Sequence, residues 1–203
     1  MFVARTRKAP PGVDVRTALL DAAGDILSAE GPGALTTRRL AESAGTTTQS
    51  IYTLFAGKEG VVRAMYREGY ERLHARMRRV PHTGDPLDDL LKLGRSYRAA
   101  ALASPHYYTV MFGHPVPEFV PDREDLAIAR VAQQILTDGV QRCIDAGLLR
   151  STADARHVAQ WLWASSHGLV SLELLGALDL GPRRGVSATY DEYLRYSLLP
   201  FLA

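Results

Sequence analysis

Residues 36–55 read Thr36-Thr37-Arg38-Arg39-Leu40-Ala41-Glu42-Ser43-Ala44-Gly45-Thr46-Thr47-Thr48-Gln49-Ser50-Ile51-Tyr52-Thr53-Leu54-Phe55, and no other stretch of the chain is as informative. Thr36 carries a hydroxyl suited to cap a helix start, and Leu40, Ala41 and Ala44 give a short buried stripe at helical spacing that ends at a glycine. Gly45 suits a turn, because glycine enters positive φ without a Cβ penalty. Thr47 then caps a second helix whose apolar side is expected at Ile51, Leu54 and Phe55, with Thr48, Gln49, Tyr52 and Thr53 left outside. Two short helices around a glycine turn, the first apolar beneath and the second polar outside, form a helix-turn-helix pattern.

Outward from this core, helical periodicity continues in both directions. Upstream, Val15, Leu19, Ala22, Ala23, Ile26 and Leu27 predict an amphipathic helix from about Asp14 to Glu30, with Asp14 as its cap and Gly31 at its end. Downstream, Val61, Val62, Met65, Tyr66, Tyr70 and Leu73 predict a long helix from near Gly57 to about Arg79, broken by His82-Thr83-Gly84-Asp85-Pro86. Further helices are expected at about 85–103, 105–112, 121–147, 152–178 and 187–202, with Pro/Gly-rich joints at 113–121 and 181–185. The expected class is all-α, about nine helices. Its expected parts are a flexible basic arm at 1–13, a three-helix helix-turn-helix domain at 14–60, and a larger helical domain at 61–203.

Charge is unevenly distributed. The first 80 residues hold 13 Lys/Arg against 8 Asp/Glu, a net of +5, whereas the remainder is net −3. A basic front end on an acidic body suits a polyanionic partner, although a charge of this size is also common on solvated helices. No run approaches the roughly 18 apolar residues that would span a bilayer, and the N-terminus lacks the apolar core of a secretory signal. A cytoplasmic location without membrane attachment follows as an expectation. The single cysteine, Cys143, excludes an intrachain disulfide and is expected to be a small buried apolar residue.

A helix that reads DNA must present small donors and acceptors to base edges in a major groove about 12 Å wide. Thr47, Thr48, Gln49, Ser50 and Thr53 are the candidates on the second helix. Tyr52 on the neighbouring face can hydrogen-bond a phosphate, and Lys58 opens the next helix, where its ammonium and free backbone N–H groups favour an anion. Thr36, Thr37 and Arg38 supply a second phosphate clamp. Arg5, Arg7 and Lys8 are candidates for the adjacent minor groove.

From about Arg16 to Val62 the chain resembles the DNA-binding domain of the TetR family. The likeness is carried by Ala22-Ala23, Thr36, the run from Leu40 to Gly45, Ser50-Ile51-Tyr52-Thr53-Leu54-Phe55, and Lys58-Glu59-Gly60-Val61-Val62. One departure stands out. The family usually has histidine before the phenylalanine, at a position that often touches the DNA backbone, and here it is Leu54. Thr46-Thr47 replaces the family's usual Val-Ser and keeps the cap. Trp163-Ala164-Ser165-Ser166-His167-Gly168 resembles the Trp-His-Gly signature of one TetR C-terminal subgroup.

The helix around Arg156 to Leu178 is apolar on all sides, which requires burial on all sides, in part by a second subunit. Ala164, Gly168, Leu172 and Gly176, with Tyr193, Leu194 and Leu198 of the last helix, are the expected dimer contacts. A four-helix interface across a twofold axis would place two recognition helices about 34 Å apart, as a palindrome requires. TetR-like proteins generally dimerise through their last two helices. Tyr97, His106, Tyr107, Tyr108, Met111, Phe112, Trp163 and His167 are candidates to line a mainly apolar effector cavity, packed core being the plainer reading of Trp163 and His167.

The expected function is a ligand-responsive transcriptional repressor: a homodimer on double-stranded operator DNA, released by a small apolar effector through the helix from Gly57 to Arg79. No cofactor and no metal are implied. The six histidines show no metal-ligand spacing, and neither a nucleophile elbow nor a phosphate-binding glycine loop is present, so the chain is not expected to be an enzyme. A helical interaction protein whose helix-turn-helix no longer binds DNA is the first alternative, and a small-molecule enzyme the lesser one.

Overall fold

The computed structural model describes residues 14–178 and 186–203. The basic arm at 1–13 and the joint at 181–185 lie outside the described residues. Among those described there are nine α-helices: α1 Val15–Ala29, α2 Thr37–Ala44, α3 Thr48–Phe55, α4 Lys58–Met77, α5 Pro86–Ala103, α6 Pro105–Phe112, α7 Arg123–Asp145, α8 Ala155–Leu174 and α9 Val186–Leu198. Short 3-10 turns occur at Pro32–Ala34 and Leu199–Phe201. The only extended pairing among the described residues is one isolated bridge, Leu149 to Leu202. The chain is all-α, with a helix-turn-helix at its N-terminal end. No helix of the described residues is long and apolar enough to cross a membrane.

The helices form two compact units. The first contains the described residues up to Gly69 together with His106–Leu126. Its core is built on the apolar stripes of the four leading helices: Leu19 and Ile26 from α1, Leu40 from α2, Ile51 from α3, and Val61, Val62 and Met65 from α4, all fully buried with Leu35 between them. Asp14 precedes α1 as expected, yet its side chain makes no capping bond. Gly31, at φ 81°, ends α1 in the left-handed region that favours glycine.

Close approaches at glycines fix the helix contacts in this unit. A Cβ at Gly24 would lie 2.5 Å from the His106 ring, and one at Gly69 would lie 2.6 Å from the Met111 sulfur. Gly60 is the tightest, with its ideal Cβ position 1.5 Å from the Phe55 carbonyl oxygen. Backbone cannot yield as a flexible side chain can, so the start of α4 meets the end of α3 only through glycine.

An ion-pair cluster ties α4 to the start of α7 inside the same unit. Asp125 is fully buried and bonded to both Arg63 and Arg67, and Arg67 Nε reaches Asp125 at 2.6 Å. Arg63 also donates to Asp122 at 2.8 Å, and the Asp122 backbone N–H donates to Asp125 at 3.0 Å. Such satisfaction is required, because an uncompensated buried carboxylate costs several kcal/mol.

The second unit contains Tyr70–Pro105 and Ala127–Ala203. Here α5 packs against α8 and α9. Gly94 admits Leu194, whose Cδ1 is 2.8 Å from the ideal Cβ position, and the Gly94 carbonyl accepts from the Tyr190 hydroxyl at 3.1 Å. Arg98 forms a largely buried pair with Glu173 on α8, its Nε donating at 2.7 Å, and stands over the Tyr190 ring at 5.4 Å. Asp89, on the first turns of α5, accepts from the Thr83 backbone at 2.7 Å and from Arg142 of α7 at 3.0 Å, pinning the α4–α5 connection. Cys143 is buried, as read from the sequence, and burial pushes its thiol up to about 11, so it stays protonated and unreactive.

Gly60→Ala is expected to destabilise the chain by about 3 kcal/mol or more, since no rotamer change relieves a clash with backbone. Chemical denaturation against wild type measures this, and an unchanged midpoint would contradict the packing described.

Candidate nucleic-acid interface

Both short helices of the helix-turn-helix start on threonine caps. Thr36 Oγ1 accepts from the Arg39 backbone N–H at 3.1 Å, and Thr47 Oγ1 accepts from that of Ser50 at 3.2 Å. Gly45 turns the chain with φ 65° and ψ 35°, while the Thr46 N–H closes the end of α2 onto the Ala41 carbonyl at 2.9 Å. Ser50 does more than its sequence position suggested. Its hydroxyl lies 3.0 Å from Thr46 Oγ1 and 3.1 Å from Thr47 Oγ1, so it braces the turn. At the other end of α3, Ala56 takes φ 58° and ψ 24°, a left-handed position that sequence reading had no reason to assign to alanine.

With Ile51 and Phe55 buried, the outer face of α3 presents Thr48, Gln49, Tyr52 and Thr53. Leu54 corrects the sequence expectation: it is 45% exposed and belongs to this outer face, not to the apolar buttress. Ile51 and Phe55, four apart, already fill the seam, and Leu54 falls one position off it. The Tyr52 ring lies across Gly57, 3.5 Å from an ideal Cβ there. Arg16, which sequence reasoning did not single out, places its guanidinium 5.8 Å from the Phe55 ring centre. No local motif marks it, because the contact joins the start of α1 to the end of α3.

The cations around α3 differ in their partners. Arg38 is exposed and pairs loosely with Glu42 at 3.1 Å, one turn on. Arg39 is held by Glu30 at 2.6 Å, and the hydrogen bond moves the two apart, lowering the carboxyl and raising the guanidinium. Arg39 therefore fastens α2 to the end of α1. Lys58, at the start of α4, has its ammonium 3.7 Å from the Glu118 carboxylate. Thr36 is exposed and Thr37 half-buried beside it.

The proposed cavity residues fall in both units. In the second, Tyr97 is buried and its hydroxyl is 3.0 Å from His167 Nδ1, while the Trp163 and His167 ring centres are 5.7 Å apart. In the first, His106 and Tyr107 stack at 4.4 Å and Tyr108 meets Phe112 edge-on at 4.9 Å, with Met111 against Gly69. Sequence reasoning passed over His74. Its ring is buried 6.0 Å from Tyr70, and its Nε2 has no hydrogen-bond partner among the described residues. Burial lowers both imidazoles from their ordinary value, His74 further through the charge of Arg78.

The residues expected at a dimer contact divide into two groups. Ala164, Leu172 and Gly176 are exposed, Gly168 and Tyr193 are half-buried, and a Cβ at Gly168 or Gly176 would meet no atom within 4 Å. Leu194 and Leu198 are corrections: at 5% and 4% exposure they are core residues of their own unit. The outward residues that periodicity left unassigned are Trp161, Leu175, Tyr196 and Leu199, with Leu175 78% exposed.

A capped, outward-facing polar helix on a three-helix scaffold defines a DNA-binding regulator of the helix-turn-helix class. Residues 19–65 match the model of bacterial regulatory proteins of the tetR family, and residues 90–195 match that of the tetracyclin repressor-like C-terminal domain. The chain belongs to the tetR family of transcriptional regulators, a family of regulators and not of enzymes. Among solved structures it is similar to the ketosteroid transcriptional regulator KstR2 of Mycobacterium tuberculosis, 22% identical with a TM-score of 0.67 over 97% of this chain and 100% of that one. It is also similar to the TetR family regulator PfmR from Thermus thermophilus, 17% identical with a TM-score of 0.71 over 87% and 97% of the two chains. The fatty acid degradation regulator FadR from Bacillus halodurans is 16% identical, with a TM-score of 0.75 over 95% and 97%. At these identities the likeness is one of fold. No curated protein matches the sequence.

Two outcomes follow. Thr47→Ala should cost about 1 kcal/mol of stability, because the Ser50 amide loses its side-chain acceptor and keeps only the Thr47 carbonyl; equal denaturation midpoints would contradict that role. The lowered histidines set the sign of a pH effect. Above the ordinary imidazole value of 6.5, folded and unfolded chains both hold His74 and His167 neutral, and stability is complete. Below it the unfolded chain protonates first, so the urea midpoint should fall between about pH 7 and about pH 5, less steeply in His167→Gln. A midpoint constant across that interval would rule this out.

Proposed function

We propose that the protein is a ligand-responsive repressor that binds a palindromic operator as a homodimer and is released by a small, mainly apolar effector. The observation that carries the DNA half of this reading is the outer face of α3, where Thr48, Gln49, Tyr52 and Thr53 stand clear of the core on a helix capped at Thr47. Thr48 and Gln49 have the donors and acceptors to read base edges. Thr36, Thr37, Arg38, Tyr52 and Lys58 position the helix through phosphates. Ser50 and Thr47 act chiefly by holding the turn. Residues 14–60 serve as the DNA-binding domain, 61–203 as the effector and dimer domain, and 1–13 as a basic arm that reaches the duplex.

Dimerisation is supported by the outward apolar residues of α8 and α9. Trp161, Leu172, Leu175, Tyr196 and Leu199 are large and exposed, and Ala164, Gly168 and Gly176 leave space for a neighbouring helix. Effector sensing is supported by Trp163 and by Tyr97 and His167, aromatic side chains of which the last two share a hydrogen bond, and in its own unit by the aromatic run of α6. α4, unbroken from Lys58 to Met77, is the element through which effector binding would shift the DNA-competent population.

The test is binding to duplex DNA from the region upstream of the protein's own gene, compared with scrambled duplexes. Tyr52→Phe and Lys58→Ala should weaken all sequences alike, whereas Gln49→Ala should relax discrimination at one base pair by about 1–3 kcal/mol. Equal losses on every sequence for Gln49→Ala would refute the division of roles, and equal affinity in the presence and absence of every effector tried would count against sensing.

A further inference from the structure

The loop after α6 carries a carboxylate to the lysine assigned to a phosphate, and the function proposed above makes no use of it. Lys58 Nζ lies 3.7 Å from Glu118. Glu118 stands between two buried anchors, Val116 and Phe119, and the Phe119 N–H donates to the Val116 carbonyl at 3.0 Å across the turn. The Phe119 ring packs 5.5 Å from Tyr66 and lies 5.2 Å from the Arg63 guanidinium. Arg63 reaches on to the Val120 carbonyl at 3.4 Å and to Asp122 at 2.8 Å. The chain just after Glu118 is thereby tied to α4, the helix that bears Lys58. Exposed ion pairs between two free side chains are worth little, largely because both chains must be ordered. Here the fold places the backbone that bears one partner, while the Glu118 side chain itself is 65% exposed.

We propose that Glu118 competes with DNA phosphate for Lys58 and so sets operator affinity below what the interface would otherwise reach. The proposal rests on the assignment of Lys58 to a phosphate contact. In the free protein the ammonium is neutralised by a carboxylate, so DNA binding exchanges one anion for another. The exchange leaves Glu118 unpaired beside a polyanion and releases fewer counterions than a free lysine would. Whatever draws the 113–122 loop away from α4 frees Lys58 and strengthens binding. The competitor is part of the chain, present at fixed proximity, and acts on every sequence alike because phosphate carries no sequence information.

The experiment compares full-length wild type with Glu118→Gln, Lys58→Ala and the double variant. Each is titrated across a salt series against duplex from upstream of the gene and against a random-sequence duplex of equal length. Glu118→Gln is expected to tighten both by about two- to fivefold per subunit and to steepen the log–log salt slope by about one per subunit. The gain should vanish in the Lys58→Ala background. If Lys58→Ala weakens binding but Glu118→Gln changes neither affinity nor slope, the competition is refuted while the phosphate contact stands. A gain equally large without Lys58 would mean simple repulsion between Glu118 and DNA, which overturns the proposal. If Lys58→Ala leaves affinity unchanged, the phosphate assignment itself fails, and the competition with it.

Discussion

Ile51 and Phe55 seated in the core of the first unit are the contact on which the rest depends. A helix of eight residues has little stability alone. What holds α3 is the burial of those two side chains, the threonine cap at its start, and the left-handed Ala56 that ends it before α4. Gly60 completes the constraint, because α4 can reach the Phe55 carbonyl only where no Cβ intervenes. Once these contacts set the rotation of α3, the faces of Thr48, Gln49 and Tyr52 follow from helical geometry, and a rotation by one residue would bury them.

Much of this was legible in the sequence, for a physical reason: caps, glycine turns and apolar stripes act over three or four residues, the range that a local pattern records. Thr36, Gly45, Thr47, Ile51 and Phe55 all stand where spacing put them. Leu54, Leu194 and Leu198 did not, because periodicity gives a broad apolar arc and leaves open which residue at its edge turns inward, or whether core or solvent meets it. Leu54 lost to Ile51 and Phe55, and Leu194 was drawn inward by the space at Gly94. Pairings between distant positions left no local trace. Arg63 with Asp125, Arg142 with Asp89 and Lys58 with Glu118 each join residues more than fifty positions apart.

Electrostatics divides the molecule by task. Within the first unit, Arg39, Arg63 and Arg67 are committed to carboxylates and serve structure, whereas near α3 Arg16 and Arg38 are exposed, Arg38 pairing only within its own helix, and the half-buried Lys58 faces Glu118. The second unit buries neutral polar groups as well as the Arg98–Glu173 pair, and burial there lowers His74 and His167 from the ordinary imidazole value. The aromatic side chains Tyr97, Trp163 and His167 suit the apolar effector proposed above, whereas the exposed polar face of α3 suits base edges and phosphates, so the two halves of the proposed regulator differ in chemistry as well as in sequence.

Hydroxyl-radical footprinting of the wild-type protein on the DNA upstream of its gene tests the central claim most directly, since it reads the spacing of the two copies of α3 in the proposed dimer without assuming a sequence. The account predicts symmetric protections whose half-site centres lie about one helical turn apart, roughly 10 base pairs or a multiple of it. Uniform, salt-sensitive coverage without a boundary, or protection of one isolated half-site, would contradict it.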